Sequence, residues 1–437
     1  MITALPKEWI ELLTPLLKDE MASFLSSYHQ DYYRGIRRRC IDYPSEAKEA
    51  VPWTDAKYLP IESRIGATVL HDAGAYYLQE PSAMVPALVL DPKPDETILD
   101  LCAAPGGKST QIGMMLCGKG LLVSNDPIPG RASVLSSNIE RMGIPNAIVT
   151  CELPSRLSAV WQECFDRILV DAPCSGEGMF RRHPETIQEW SLSSVSACAK
   201  RQRAILQEAS GMLKPGGTLV YSTCTFNQTE NEGVIRDFLG ANGEFTAEDF
   251  TVPGIGTSLD GMMHIWPHRV RGEGHFVAKL RKDGVWEQPL KKRKETKRKT
   301  IPGADNAAAF IRDDLNLEVA GTISQFKENL VLIPDNTVDV TGVRVLRMGL
   351  HLGHIAGNAF VPDHALAMLQ KSLNVFPLSD TEAVSYMQGD TISCPQTLRG
   401  WLTPSYRGMN LGWAKGSGGM LKNHYPKGLR RLLFPND

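Results

Sequence analysis

Two cysteines in this 437-residue chain stand where a nucleophile is useful. Cys174 closes the segment Asp171-Ala-Pro-Cys174-Ser-Gly, and Cys224 closes Ser222-Thr-Cys224-Thr-Phe. Each follows an apolar run that reads as an interior strand of an open α/β sheet, 167–171 and 218–224, and such sheets gather their reactive groups outside the carboxyl ends of the strands. A thiolate is an intrinsically strong nucleophile toward an electron-poor carbon, and a modest fraction forms near neutral pH. Asp171 has two readings, a turn cap or an acceptor for the polar edge of a heterocyclic base. On residue type and position alone, both cysteines are candidates and neither outranks the other.

A third segment supplies a binding loop. Thr97-Ile-Leu-Asp-Leu-Cys102 runs into Ala103, Ala104, Pro105, Gly106, Gly107 and Lys108, and a helical pattern follows over 109–116. A glycine-rich turn from a parallel strand into a helix lets a ligand approach the backbone closely and aims free amides at it. The next strand ends at Asp126, where a carboxylate can accept hydrogen bonds from a ribose diol. The loop is neither Gly-x-Gly-x-x-Gly nor the phosphate-loop pattern ending in Gly-Lys-Ser/Thr, so pyrophosphate binding is disfavoured, and with it a dehydrogenase.

These segments need a scaffold, and the pattern around them provides one. Strand-like runs at 98–102, 121–126, 147–152, 167–171 and 218–224 alternate with helical stretches, which specifies an α/β fold with a parallel sheet covered on both faces. The region before it reads as a small α+β unit, with helical periodicity over 5–28 and a basic stretch at 34–39. After it, 291–299 carries seven basic residues against one acid and reads as a polar, self-repelling linker. Short strands are expected at 343–346 and 349–352 beyond it. The resulting division is 1–75, 76–283, a linker at 284–305, 306–375 and 376–437.

Composition narrows the class. With 47 Lys+Arg against 49 Asp+Glu the net charge is −2, so bulk charge does not attract nucleic acid or membrane and any such contact needs local patches. Candidate patches are 34–39, Arg181-Arg182, 291–299 and 422–431, with Trp401, Trp413 and Tyr425 as stacking partners near the last. Nine cysteines without a Cys-x-x-Cys pair read as reduced thiols, and no cluster suggests a metal. His268 and His275 read as packing or hydrogen-bonding residues. Neither a signal peptide nor an apolar run of membrane-spanning length is evident, so a cytoplasmic protein without a membrane partner is expected.

Leu101-Cys-Ala-Ala-Pro-Gly-Gly-Lys108, Asp171-Ala-Pro-Cys-Ser-Gly-Glu-Gly178 and Tyr221-Ser-Thr-Cys-Thr-Phe226, in this order, resemble the Sun/RsmB/RsmF family of RNA cytosine-5 methyltransferases. Gly74-Ala-Tyr-Tyr-Leu-Gln-Glu-Pro-Ser-Ala-Met84, Trp266-Pro-His and Gly272-Glu-Gly-His-Phe276 resemble its RsmF branch, and the likeness spans most of the chain. It implies a Rossmann-like class I methyltransferase core, an RNA-recognition-like unit before it and a PUA-like module at the end. It implies S-adenosylmethionine as cofactor, with Cys102, Ala103, Ala104, Pro105, Gly106, Gly107 and Lys108 around its methionine part, Asp126 at its ribose and Glu152 near its adenine. Asp171 falls at the same cofactor-facing edge. The resemblance assigns Cys224 as nucleophile, Cys174 to its release, and Asp171 and Lys108 to the base. It further implies ribosomal RNA as substrate, taken free or within the 30S subunit, by a monomer. Transfer RNA methylation, a non-catalytic assembly factor on the same scaffold, and methylation of a small molecule or an exocyclic amine are the alternatives.

Overall fold

The computed structural model describes residues 5–286, 301–317, 321–357 and 359–436. The basic run 291–299 therefore lies outside the described residues.

The expected alternation closes into one sheet. Strands Thr97–Asp100, Leu121–Asn125, Ala147–Thr150, Phe165–Asp171 and Leu213–Thr223 run parallel, in the spatial order 147–150, 121–125, 97–100, 165–171, 213–223. The chain leaves 97–100 on one side, through 121–125 and 147–150, and returns on the other at 165–171. The crevice between those two directions opens at the carboxyl ends of 97–100 and 165–171, where an open α/β sheet binds its ligands. Helices Gly107–Met115 and Pro129–Arg141 serve the first half, and Leu192–Met212 and Glu232–Ala241 the second. Antiparallel strands His275–Lys282 and Met262–Ile265 extend the far edge. The strand interiors are fully buried, from Ile98 and Leu99 to Leu219, Val220 and Tyr221, as expected of a sheet covered on both faces.

The other edge holds a surprise. Val345–Met348, which the sequence places in a separate C-terminal unit, pairs antiparallel with Ala147–Thr150 and caps the core sheet. An exposed parallel edge is a template for unwanted pairing, and a strand borrowed from later in the chain covers it. The rest of that unit is a four-stranded antiparallel sheet, 322–326, 329–333, 350–356 and 359–362, with helix Ala304–Leu315.

The helical stretch expected over 5–28 breaks at Lys18, where φ is +47°, into Lys7–Leu17 and Met21–Ser27. The break lets Trp9, Leu13, Leu17, Phe24 and Tyr28 face one cluster with Phe180, Phe226 and Trp266 of the core. The strand Arg34–Arg38 pairs with both Ala56–Leu59 and Tyr76–Gln79. A boundary at 75/76 thus cuts this sheet, because Tyr76–Gln79 belongs to the front unit by its hydrogen bonds. Likewise Val375–Pro377 pairs with Gly400–Tyr406 and belongs to the last module. That module docks on the front unit: Phe434 exchanges backbone hydrogen bonds with Ala67 and Val69, and Tyr386, Tyr406 and Leu421 share a core with Ile36, Leu59 and Val69. Among the described residues no helix is long and apolar enough to cross a membrane.

Candidate active site

The strand Phe165–Asp171 delivers Asp171 to the crevice, and the helix Gly107–Met115 delivers Lys108 from the opposite side. Their charged ends meet at 2.8 Å. Ser222 Oγ donates to the other Asp171 oxygen at 2.7 Å, and His275 Nε2 approaches that same oxygen at 3.4 Å. Burial alone would raise the Asp171 carboxyl; the Lys108 ammonium and the His275 contact outweigh it and hold it well below the usual carboxylate range. Lys108 is kept protonated by the same pairing, against the opposing pull of burial. The site therefore presents a fixed carboxylate, able only to accept hydrogen bonds.

Cys174 and Cys224 converge beside it, with Sγ atoms 3.2 Å apart. The contact with Cys224 and then burial push the Cys174 thiol well above its ordinary value, so it stays a thiol. Two buried glutamates buckle the loops that carry these sulfurs. Glu177, three residues past Cys174, accepts from the backbone amides of Phe226 and Asn227 and from Trp190 Nε1. Glu230 accepts from the Ser175 amide and hydroxyl, Gln202 and Asn227. The Gly178 amide donates to the Cys224 carbonyl at 2.8 Å, and a side chain at 178 would meet that oxygen at 3.0 Å. These supports were not singled out in the sequence, although Glu177 and Gly178 lie inside one of the quoted motifs.

The loop after strand 97–100 is held at three successive residues. The Ala103 amide donates to the Asn125 carbonyl, the Ala104 carbonyl accepts from Arg131, and the Pro105 carbonyl accepts from Asn138. Gly106 has φ +112°, and a Cβ there would crowd Leu135 at 3.1 Å, so glycine is required on both counts. Burial pushes the Cys102 thiol far up, which disfavours its thiolate. Asp126 is buried, with one oxygen accepting from the Ile128 amide at 3.0 Å and the other 3.3 Å from Arg131. The Glu152 carboxylate accepts from the Arg344 amide at 3.1 Å, which ties it to the C-terminal segment that caps the sheet. The large apolar side chains Ile128 and Leu153, half exposed or more at the ends of these strands, escaped the sequence reading.

Several expected surface groups are internal. Arg37 and Arg181 are buried, and Arg181 is paired with Glu273 at 2.9 Å, so neither can reach a phosphate. Trp413 and Tyr425 are buried too, each packed within the C-terminal cores, and only Trp401 of the three keeps part of its surface. His268 pairs with Glu20, and His275 is a hydrogen-bonding residue whose partner proves to be Asp171. The described residues hold no cluster able to bind a metal.

Four family profiles tile the chain in order: the N-terminal domain of 16S rRNA methyltransferase RsmF at 5–81, 16S rRNA methyltransferase RsmB/F at 87–281, the RsmF first C-terminal domain at 309–369, and the RsmF PUA domain at 373–431. The ribosomal RNA small subunit methyltransferase F of Shewanella loihica is 34% identical over 410 residues, covering 88% of this chain and 84% of its own. The chain belongs to the RsmF family of ribosomal RNA methyltransferases. The Shewanella oneidensis protein of the same name is 33% identical, covering 89% and 87%. Among solved structures, NSun6 from Pyrococcus horikoshii with SFG aligns at TM-score 0.57 and 23% identity, over 65% of this chain and all of that one, which supports the fold. A methyltransferase homologue from the same organism aligns at 0.52 and 25%, over 64% and 100%.

RsmF-family enzymes depend on S-adenosylmethionine. The crevice fits that group. Asp100 Oδ1 and Ser124 Oγ, on paired residues of adjacent strands, are buried without a partner among the described residues. Buried polar atoms are satisfied in nearly all native structures, so a polar ligand or its water belongs at this edge.

Proposed function

We propose that this enzyme methylates carbon-5 of a cytosine in 16S ribosomal RNA, with Cys224 as the covalent nucleophile. The observation that carries the reading is the pair of sulfurs 3.2 Å apart beside the Lys108–Asp171 ion pair. Carbon-5 is too weakly nucleophilic to accept a methyl group unaided. Addition of the Cys224 thiolate at carbon-6 turns the ring into an enamine and divides one difficult step into two. Asp171, fixed as an acceptor, receives hydrogen bonds from the amino group and from N3, which takes a proton from water as the addition charges the ring, and Lys108 holds the carboxylate in place.

Residues Cys102 to Lys108 and Asp126 would hold S-adenosylmethionine, with Glu152, Ile128 and Leu153 at the adenine end. Bound there, it supplies a methyl group activated by a sulfonium. Once carbon-5 carries the methyl group, its proton passes to water, the electron pair it leaves restores the ring double bond, and the bond from carbon-6 to Cys224 breaks with its electrons returning to the sulfur. Cys174, held as a thiol in contact with the Cys224 sulfur, is placed to donate a proton to that sulfur as it leaves.

Cysteine variants test these roles. Cys224→Ala is expected to abolish both turnover and any covalent complex, whereas Cys174→Ala accumulates a protein–RNA adduct stable on denaturing gels. The opposite pattern refutes the assignment. RNA carrying 5-fluorocytosine is expected to trap the wild-type enzyme through the same bond; a catalytically silent assembly factor would trap nothing. Labelled-donor assays on free 16S RNA, isolated small subunits and transfer RNA, followed by site mapping, identify the substrate. Modification of transfer RNA alone would overturn the ribosomal reading. A ribosomal substrate implies an enzyme acting in the cytoplasm, and the reading takes it to act as a monomer.

A further inference from the structure

The basic stretch at 34–39 reads, in sequence, as a phosphate contact. The structure turns its central arginine the other way. Arg37 is 5% exposed and has no carboxylate within ion-pair distance among the described residues. Burying an unpaired cation is costly, so its donors must be well used. Its Nη2 donates to the Gly107 carbonyl and the Thr110 hydroxyl, each at 2.9 Å, and its Nε donates to Gln79 at 2.8 Å. The planar guanidinium also lies over the Tyr77 ring at 5.2 Å. Gln79 is itself fixed by the Ala83 carbonyl and packs so closely on Gly107 that a side chain there would meet it at 3.3 Å.

Gly107 and Thr110 form the first turn of the helix that follows the cofactor loop, and Lys108 lies between them. A positive charge beside a helix N-terminus is electrostatically unfavourable, which makes a purely stabilising role a poor explanation. We infer that Arg37 is a positioning residue for the cofactor site. It clamps the first turn of the 107–115 helix, so the front unit sets both the affinity for S-adenosylmethionine and the aim of Lys108 at Asp171. This rests on reading 102–108 as the cofactor loop.

Lysine at this position keeps the charge but cannot reach three acceptors in one plane. Thr110→Val deletes one of those acceptors with little change of volume. Titration with S-adenosylhomocysteine is expected to show about tenfold weaker binding for Arg37→Lys, the order of one charge-assisted hydrogen bond, and a smaller loss for Thr110→Val. Affinity for a 16S RNA transcript at fixed salt should stay within about twofold, since a buried guanidinium touches no phosphate. Weaker RNA binding with unchanged cofactor affinity would make Arg37 a phosphate contact and overturn the inference. Asp126→Asn serves as reference. If it weakens cofactor binding while Arg37→Lys and Thr110→Val do not, the inference falls and the loop assignment stands; if none of the three has an effect, the loop assignment itself has failed. Should Arg37→Lys not fold, unchanged cofactor affinity in Thr110→Val is enough to overturn the proposal.

Discussion

Asp100 and Asp171 are both aspartates at the carboxyl ends of neighbouring strands, yet their surroundings push them in opposite directions. Asp171 has Lys108 beside it and stays ionised. Asp100 has the Ser109 hydroxyl and, among the described residues, no cation in contact, and burial raises it from its ordinary 3.8 to about 7. Between those two values the folded chain holds a proton that the unfolded chain has released. The contribution of Asp100 to stability is therefore intact below about pH 4 and falls as pH rises through 7, by roughly 4 kcal/mol at the limit. Asp100→Asn removes that titration and keeps an acceptor for Ser109. The variant's thermal midpoint is expected to match wild type only below about pH 4 and to exceed it increasingly from there to pH 8. A constant difference across that range would show that Asp100 does not titrate there. The two residues look alike in sequence; what separates them is contact, since Lys108 acts on both but the fold sets its ammonium 2.8 Å from Asp171, 63 positions away.

At the scale of elements, the two short helices at the front act as a lid over the loops that carry the sulfurs. Trp9 is fully buried against Phe24, Tyr28 and Phe180, at centroid distances of 5.3–5.6 Å. Phe24 in turn meets Phe226, two residues past Cys224. Trp9→Ala is expected to cost about 3–5 kcal/mol in urea denaturation. Trp9→Phe should cost much less, because Trp9 Nε1 has no hydrogen-bond partner to lose among the described residues. Equal losses in the two variants would mean that the ring contributes little packing. The amphipathic period over 5–28 is legible in the sequence, since it needs only local spacing. The kink at Lys18 and the partners Phe180 and Phe226 are not, because they depend on surfaces contributed by distant segments.

On the scale of the whole molecule, the last module closes on the front unit while a strand from the preceding unit completes the core sheet. With Arg37 and Arg181 internal, the exposed charge available to RNA is reduced, and the run at 291–299 holds the densest positive charge in the sequence. Each phosphate neutralised steepens the fall of log affinity with log salt by roughly 0.7–0.9. Replacing the seven basic residues of that run by glutamine is expected to flatten the salt dependence of RNA binding by several such steps, measured by anisotropy across a range of ionic strength. An unchanged slope would remove the run from the interface.

The sequence by itself determined the parallel α/β core, the order of its strands along the chain, the loop from Cys102 to Lys108 and the candidacy of Asp171, Cys174 and Cys224. Strand periodicity, glycine punctuation and residue chemistry are local properties, and one chain displays them in full. Only the tertiary structure decided that the two sulfurs touch, that Lys108 pairs with Asp171, that Arg37 faces the first turn of the 107–115 helix and not solvent, and that residues 345–348 finish a sheet begun at 97. Those outcomes depend on which distant surfaces exclude water together, and burial, which fixes the charge and partner of each group, is a property of the folded chain as a whole.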